Sequence, residues 1–229
     1  ILIFHDELNK ENSLTSKGKI FNIPFTFDWK YDENLNEKVT KVRLNPLKLS
    51  LLNKSKKGDK AKNLKINFKR SKLNTDYFLD KDSVIIKSKS SFLGTNKFDY
   101  NGKINLDPFD FQIESELQKF DLKKIILNKN MLDEIFSHEF LLNENFNGSL
   151  TIKSNNLKNS NFFNQILLTF NYVGEKIELS NSKIYNKKIG SLDLDYGNIF
   201  LENNDLFFKG KFSFEIFDKK KFYRKFLVS

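Results

Sequence analysis

The sequence predicts a mainly β fold: an antiparallel meander forming a curved sheet or open groove, with two or three short helices. Three observations predict it. Apolar and polar residues alternate with a period of two in segment after segment, which puts one side of each segment in an apolar environment and the other in water. The composition disfavours long helices, since Ala61 is the only alanine among 229 residues while Phe alone accounts for 25. Clusters of Asn, Gly, Asp and Ser separate the alternating segments and supply turns.

The clearest strand follows Gly18. Phe21, Ile23, Phe25, Phe27, Trp29 and Tyr31 fall on one side, and Asn22, Pro24, Thr26, Asp28 and Lys30 on the other. Pro24 cannot donate to a ladder, which predicts an edge strand or a donor position turned outward. Val42 and Leu44 continue the pattern; Pro46 then resets the phase for Leu47, Leu49 and Leu51. Lys54–Lys62, with Ser55, Gly58 and Asp59, reads as an exposed loop. Leu64, Ile66 and Phe68 alternate with lysine and asparagine, and Phe109, Phe111 and Ile113 lead on to Leu117. Later strands carry Leu150 and Ile152; Ile166, Leu168, Phe170 and Tyr172; Ile177 and Leu179; Leu192, Leu194 and Tyr196; and Leu206, Phe208, Phe212, Phe214 and Ile216. Tyr100-Asn101-Gly102 and Asn145-Phe146-Asn147-Gly148 read as hairpin turns.

Three stretches depart from the period of two. Asp121–Ser137 has helical spacing behind Asp121 as a cap, Asn159–Gln165 predicts a helical turn, and Asp218–Leu227 places Phe222 and Phe226 four apart behind Asp218. One internal echo joins the halves: Gly18–Phe25 and Gly102–Phe109 share Gly, Lys, Ile, Pro and Phe, one strand design used twice. The chain reads as a single β-rich segment, 1–229, of a longer protein, with sub-units 1–100 and 101–229. Ile1 opens it and Met131 is the only methionine, so the natural start and an N-terminal anchor are expected upstream.

The charge of +10 raises nucleic acid as a partner. Arg43, Arg70 and Arg224 are the only arginines, however, and bidentate contacts to bases and phosphates favour arginine. No nucleic-acid partner is therefore expected; attraction to an anionic membrane surface stays open. The chain has no cysteine, so disulfides, thiol nucleophiles and thiolate metal sites are excluded. His138-Glu139 begins like a zinc-protease motif, but Leu142 stands where the second histidine belongs. Asp193 and Asp195, two apart, could hold a cation but read better as a solvated face. Asn53-Lys54-Ser55 and Asn147-Gly148-Ser149 fit a glycosylation triplet that arises by chance in an Asn-rich chain. No nucleophile elbow or phosphate loop is present. No catalytic residue, cofactor or metal is expected.

The apolar side is what remains. In a closed sandwich or barrel it is core; in an open sheet it is a surface that demands a partner, and acyl chains fit. The candidate lipid-contacting residues are Phe21, Ile23, Phe25, Phe27, Trp29, Leu64, Ile66, Phe68, Phe109, Phe111, Ile113, Leu168, Phe170, Leu192, Leu194, Phe208, Phe212 and Phe214. A fragment of an outer-membrane barrel is a further reading, against which the short strands and helical interruptions speak.

Gly102–Phe109 and the strand after it, the interruption around Leu122–Phe136, and Asn147–Ile152 together resemble the AsmA-like family of bacterial envelope proteins. So does the close, in which Gly190–Asp195 and Asn203–Phe214 precede the short helix of Asp218–Phe226. The resemblance implies a bridge-like β-groove with an apolar lining, anchored in the inner membrane and extending through the periplasm. It also implies passage of phospholipid towards the outer membrane with no catalytic residue, membrane association through the upstream segment, and envelope proteins as possible partners. The alternative is a structural or adhesive β-repeat protein of the envelope with a closed core.

Overall fold

The computed structural model describes residues 1–20, 23–121, 147–160, 162–174, 176–202 and 205–226. The fold is mainly β, and mostly an antiparallel meander. Two compact units divide the chain, Ile1–Asp99 and Tyr100–Ser229.

The first unit runs through β1 (Leu2–Asp6), β2 (Glu11–Ile20), β3 (Ile23–Asp32), β4 (Glu37–Leu44), β5 (Leu49–Lys56), β6 (Lys62–Phe68), β7 (Ser71–Asp80), β8 (Ser83–Ser88) and β9 (Ser91–Leu93). From β1 to β8 each strand pairs antiparallel with the next. Pro46 opens a 3-10 turn, Asn45–Leu47, and Lys48 closes it at φ 50°, so that Leu44 meets Leu49 across the hairpin. The loop expected over Lys54–Lys62 is shorter, because β5 continues to Lys56 and β6 starts at Lys62. Pro24 does not mark an edge strand: β3 is paired on both sides. Pro24 stands opposite Lys19 of β2, but pairing with β4 begins only at Thr26, so no donor is required of it on that side.

The second unit contains most of β10 (Asn96–Leu106), then β11 (Phe109–Leu117), β12 (Phe120–Asp121), β13 (Asn147–Ser154), β14 (Leu157–Lys158), β15 (Gln165–Val173), β16 (Lys176–Leu179), β17 (Ser182–Asn186), β18 (Gly190–Glu202), β19 (Asp205–Ile216) and one helix, α1 (Lys219–Phe226). The antiparallel meander gives way to parallel pairing between β11 and β13 and between the short β12 and β14, and β15 also pairs with β17 and β16 with β18. Parallel neighbours need a long crossover, and residues 118–146 lie between β11 and β13.

One sequence turn is corrected: Tyr100-Asn101-Gly102 lies inside β10. Of the other, Asn147-Gly148 begins β13, while Asn145 and Phe146 lie outside the described residues. Each glycine sits where strands approach closely: a Cβ on Gly102 would strike the carbonyl of Gln112, and one on Gly148 the ring and carbonyl of Phe111. Glycine here marks crowding, not a bend. The two echo segments both end one strand and start the next, but Gly18 stands directly opposite Phe25, whereas Gly102 lies beside Gln112 and Ile113.

Among the described residues α1 is the sole α-helix. Asp218 caps it by accepting a hydrogen bond from the Lys221 N–H at 3.0 Å, and Phe222 packs against Phe162 and Phe214 at ring distances of 5.1 and 5.5 Å. The described residues of Asn159–Gln165 are not helical. Asn164 donates its N–H to the Tyr185 carbonyl and the Leu157 N–H reaches Asn164, so those backbone groups are spent on neighbouring strands. Most of the helical stretch expected from Asp121 to Ser137 lies outside the described residues; Asp121 itself ends β12.

Candidate functional site

Directly opposed residues of an antiparallel pair share a side of the sheet, so the register sorts every side chain. In the first unit Phe27, Val42, Leu51, Ile66 and Leu73 stand opposite one another across β3 to β7. At about 4.8 Å between strands this row is roughly 19 Å long. Leu44, Leu49 and Phe68 form a parallel row, and Trp29, Thr40, Asn53, Leu64 and Thr75 a third, more polar one. Ile23 and Phe25 extend the same side, and the Phe25 ring lies over Gly18, where a Cβ would come within 2.9 Å of it. Every candidate named for this unit and described thus falls on one side; Phe21 lies outside the described residues.

The opposite side carries the ion pairs, with Val39, Leu52, Phe78 and Ile85 among them. Asp28 pairs with Arg43, whose guanidinium hydrogen bond holds that carboxyl below the usual carboxylate range. Lys30 meets Glu11 at 2.8 Å, Lys54 and Lys56 flank Glu37, and Lys89 faces Asp76 at 3.6 Å.

No apolar side chain of the first unit is buried among the described residues. Of its described residues only Thr75, Ser83 and Ser91 are buried. Phe25, Phe27, Trp29, Leu51, Leu64, Ile66 and Phe68 are all half-buried, covered by their neighbours along the sheet.

The second unit has the same two-sidedness with a different depth profile. Phe111, Gly148, Tyr172, Ile177, Ile199 and Phe208 form one row; Ile113, Leu150, Phe170 and Leu179 another; Ile166, Ile184, Leu192 and Phe214 a third. Leu168 and Leu194 with Phe212 complete the side, which brings all the second unit's candidates together. Ile166 and Ile177 are 2% and 1% exposed, whereas Phe208, Phe212 and Phe214 on β19 are 46–53% exposed. Gly148 leaves room for the Phe111 and Tyr172 rings, 5.3 Å apart, and burial pushes the Tyr172 phenol up from its ordinary value. Phe162, Phe163, Phe214 and Phe222 form an aromatic cluster beside β19.

Tyr196 leaves this side. A β-bulge between Leu194 and Tyr196 shifts the register by one, so Tyr196 pairs with Lys211 and the apolar row resumes at Gly197 and Ile199. The bulge also separates the two aspartates: Asp193 accepts from Ser191, and Asp195 accepts from Ser213 at 2.6 Å with Lys211 at 3.8 Å. Among the described residues no three metal-ligating side chains cluster. His5 is exposed and bonds Asn12 at 2.7 Å; His138 lies outside the described residues. A concavity of about 610 Å³ lies between Lys183, Tyr185, Asp193 and Glu215, which the register places on the polar side of β17 to β19.

Leu14, Leu73, Tyr77, Val84 and Ile86 also belong to the apolar side of the first unit and escaped sequence reasoning. β2 carries too few apolar residues to alternate. The two-residue turn Lys81-Asp82 between paired Asp80 and Ser83 was the available signal for β7 and β8. No described helix is long and apolar enough to cross a membrane. A scan against protein-family models finds no match to this chain, and a search of curated protein sequences finds none either.

Proposed function

We propose that this chain is a non-enzymatic lipid-handling protein of the bacterial envelope, in which the apolar side of the sheet forms an open groove carrying phospholipid acyl chains between inner and outer membrane. One observation carries the reading: the first unit has a contiguous apolar side, five strands wide in register, and among its described residues not one buried apolar side chain. A surface of that kind calls for an apolar partner. Burial of a methylene is worth about 0.8 kcal/mol, so about eight of them resting on the row from Phe27 to Leu73 supply on the order of 6 kcal/mol without any specific polar contact.

The likeness of Gly102–Phe109, Asn147–Ile152 and the closing strands to the AsmA-like family supplies the setting: periplasmic, anchored to the inner membrane through an upstream segment, in company with envelope proteins. The closed-core alternative, a structural or adhesive β-repeat, draws support from Ile166 and Ile177 in the second unit. It has no counterpart among the described residues of the first. A membrane barrel fits less well, since it needs antiparallel strands of about 9–11 residues, whereas β11 and β13 are parallel and β16 has four residues.

Uptake of a fluorescent phospholipid by the delipidated chain tests the proposal. Leu51→Lys with Ile66→Lys places two charges in the middle of the row and is expected to reduce uptake at least about tenfold while the fold, read by circular dichroism, is kept. Uptake unchanged by this pair, or no uptake by the parent chain, sinks the reading.

A further inference from the structure

Helix α1 concentrates charge in a way its own stability does not explain. Lys219, Lys220, Lys221, Arg224 and Lys225 are all exposed, and the helix contains no acid. Asp218 just before it is engaged by Lys221 at 2.8 Å. Lys219, Lys220 and Arg224 form no ion pair with any described residue. Arg224 and Lys225 suit the last turn, but three lysines in the first turn oppose the helix dipole. The helix is nevertheless held in one orientation, because Phe222 is locked against Phe162 and Phe214. The cations therefore point away from the strands, with Tyr223, 58% exposed, among them.

We infer that α1 is an electrostatic docking surface for an anionic phospholipid bilayer, which it places beside the exposed β19 end of the apolar side. The biological role rests on the lipid-handling reading; the binding itself does not. Four of the five cations are lysine, the residue that attracts a diffuse anionic surface without bidentate readout, and an exposed tyrosine among lysines suits the headgroup region. Because Phe222 faces inward, the contact is superficial and screened by salt rather than inserted.

Flotation of the whole chain with vesicles tests this. Binding is expected to vesicles containing one part in three phosphatidylglycerol, not to pure phosphatidylcholine, and to be lost between about 0.05 and 0.5 M salt. Lys219→Glu, Lys220→Glu and Arg224→Glu together are expected to weaken it at least about tenfold. Lys57→Glu, Lys60→Glu and Lys87→Glu, which remove the same charge from the first unit, are expected to change it less than about twofold. Equal loss in both variants, no loss in the first, or tighter binding to duplex DNA than to the anionic vesicles at the same ionic strength overturns the inference. Phospholipid uptake reads the groove separately: the α1 variant keeps it, and loss of uptake with flotation intact counts against the groove alone.

Discussion

Gly148 has no side chain because the Phe111 ring occupies that space, and its backbone sits at φ 149°. Gly148→Ala has to displace the ring and adopt a conformation that L residues rarely visit, so it is expected to destabilise the second unit by about 2 kcal/mol. A lowered urea midpoint with an unchanged slope is the measurement that checks it. Asp28 is governed by charge instead. The Arg43 hydrogen bond depresses its folded pKa, so its stabilising contribution is present above the unfolded value of about 3.9 and fades as pH falls through the lower folded one. Both side chains are partly exposed, at 31% and 43%, so the effect is small. Asp28→Asn is expected to flatten the fall of the urea midpoint between about pH 4 and pH 2, leaving the midpoint at pH 7 only slightly lower.

At the scale of elements, helix α1 depends on one cap. Asp218→Ala removes the acceptor for the Lys221 N–H and is expected to cost about 1 kcal/mol, seen as a loss of far-ultraviolet helical signal and of Phe222 ring packing by NMR. This helix was legible in the sequence because cap and apolar spacing agree, and β3, β6 and β11 were legible because each alternates, with Ser115 the one polar residue on the apolar side of β11. Asn159–Gln165 was misread since its polar residues look like a helix start, whereas the Asn164 backbone bonds to Tyr185 and Leu157. Gly102 and Gly148 were misread since a glycine beside asparagine is the usual hairpin signature; only the neighbouring strand shows that the missing Cβ makes room for Gln112 and Phe111. Tyr196 continues the even-numbered alternation of Leu192 and Leu194, whereas the bulge inverts the phase, and the mark it leaves in the sequence is Ile199 at an odd position. β7 and β8 were missed because Phe78 and Ile85 put apolar residues on the side that carries Asp76 and so blur the alternation.

For the whole molecule, the apolar side could be read from the sequence but its exposure could not, since alternation is the same under a second layer and against solvent. Burial separates the two cases. Leu51 and Ile66 are half-buried at the centre of their row, whereas Ile166 and Ile177 are almost wholly enclosed. The central claim is that the first of these surfaces holds acyl chains. Native mass spectrometry of the chain after incubation with phospholipid tests it most directly. The account predicts phospholipid adducts on the parent chain that are lost from the Leu51→Lys, Ile66→Lys variant and retained when Lys57, Lys60 and Lys87 are replaced by glutamate. A parent chain that carries no phospholipid, or a double-lysine variant that carries as much, would contradict it.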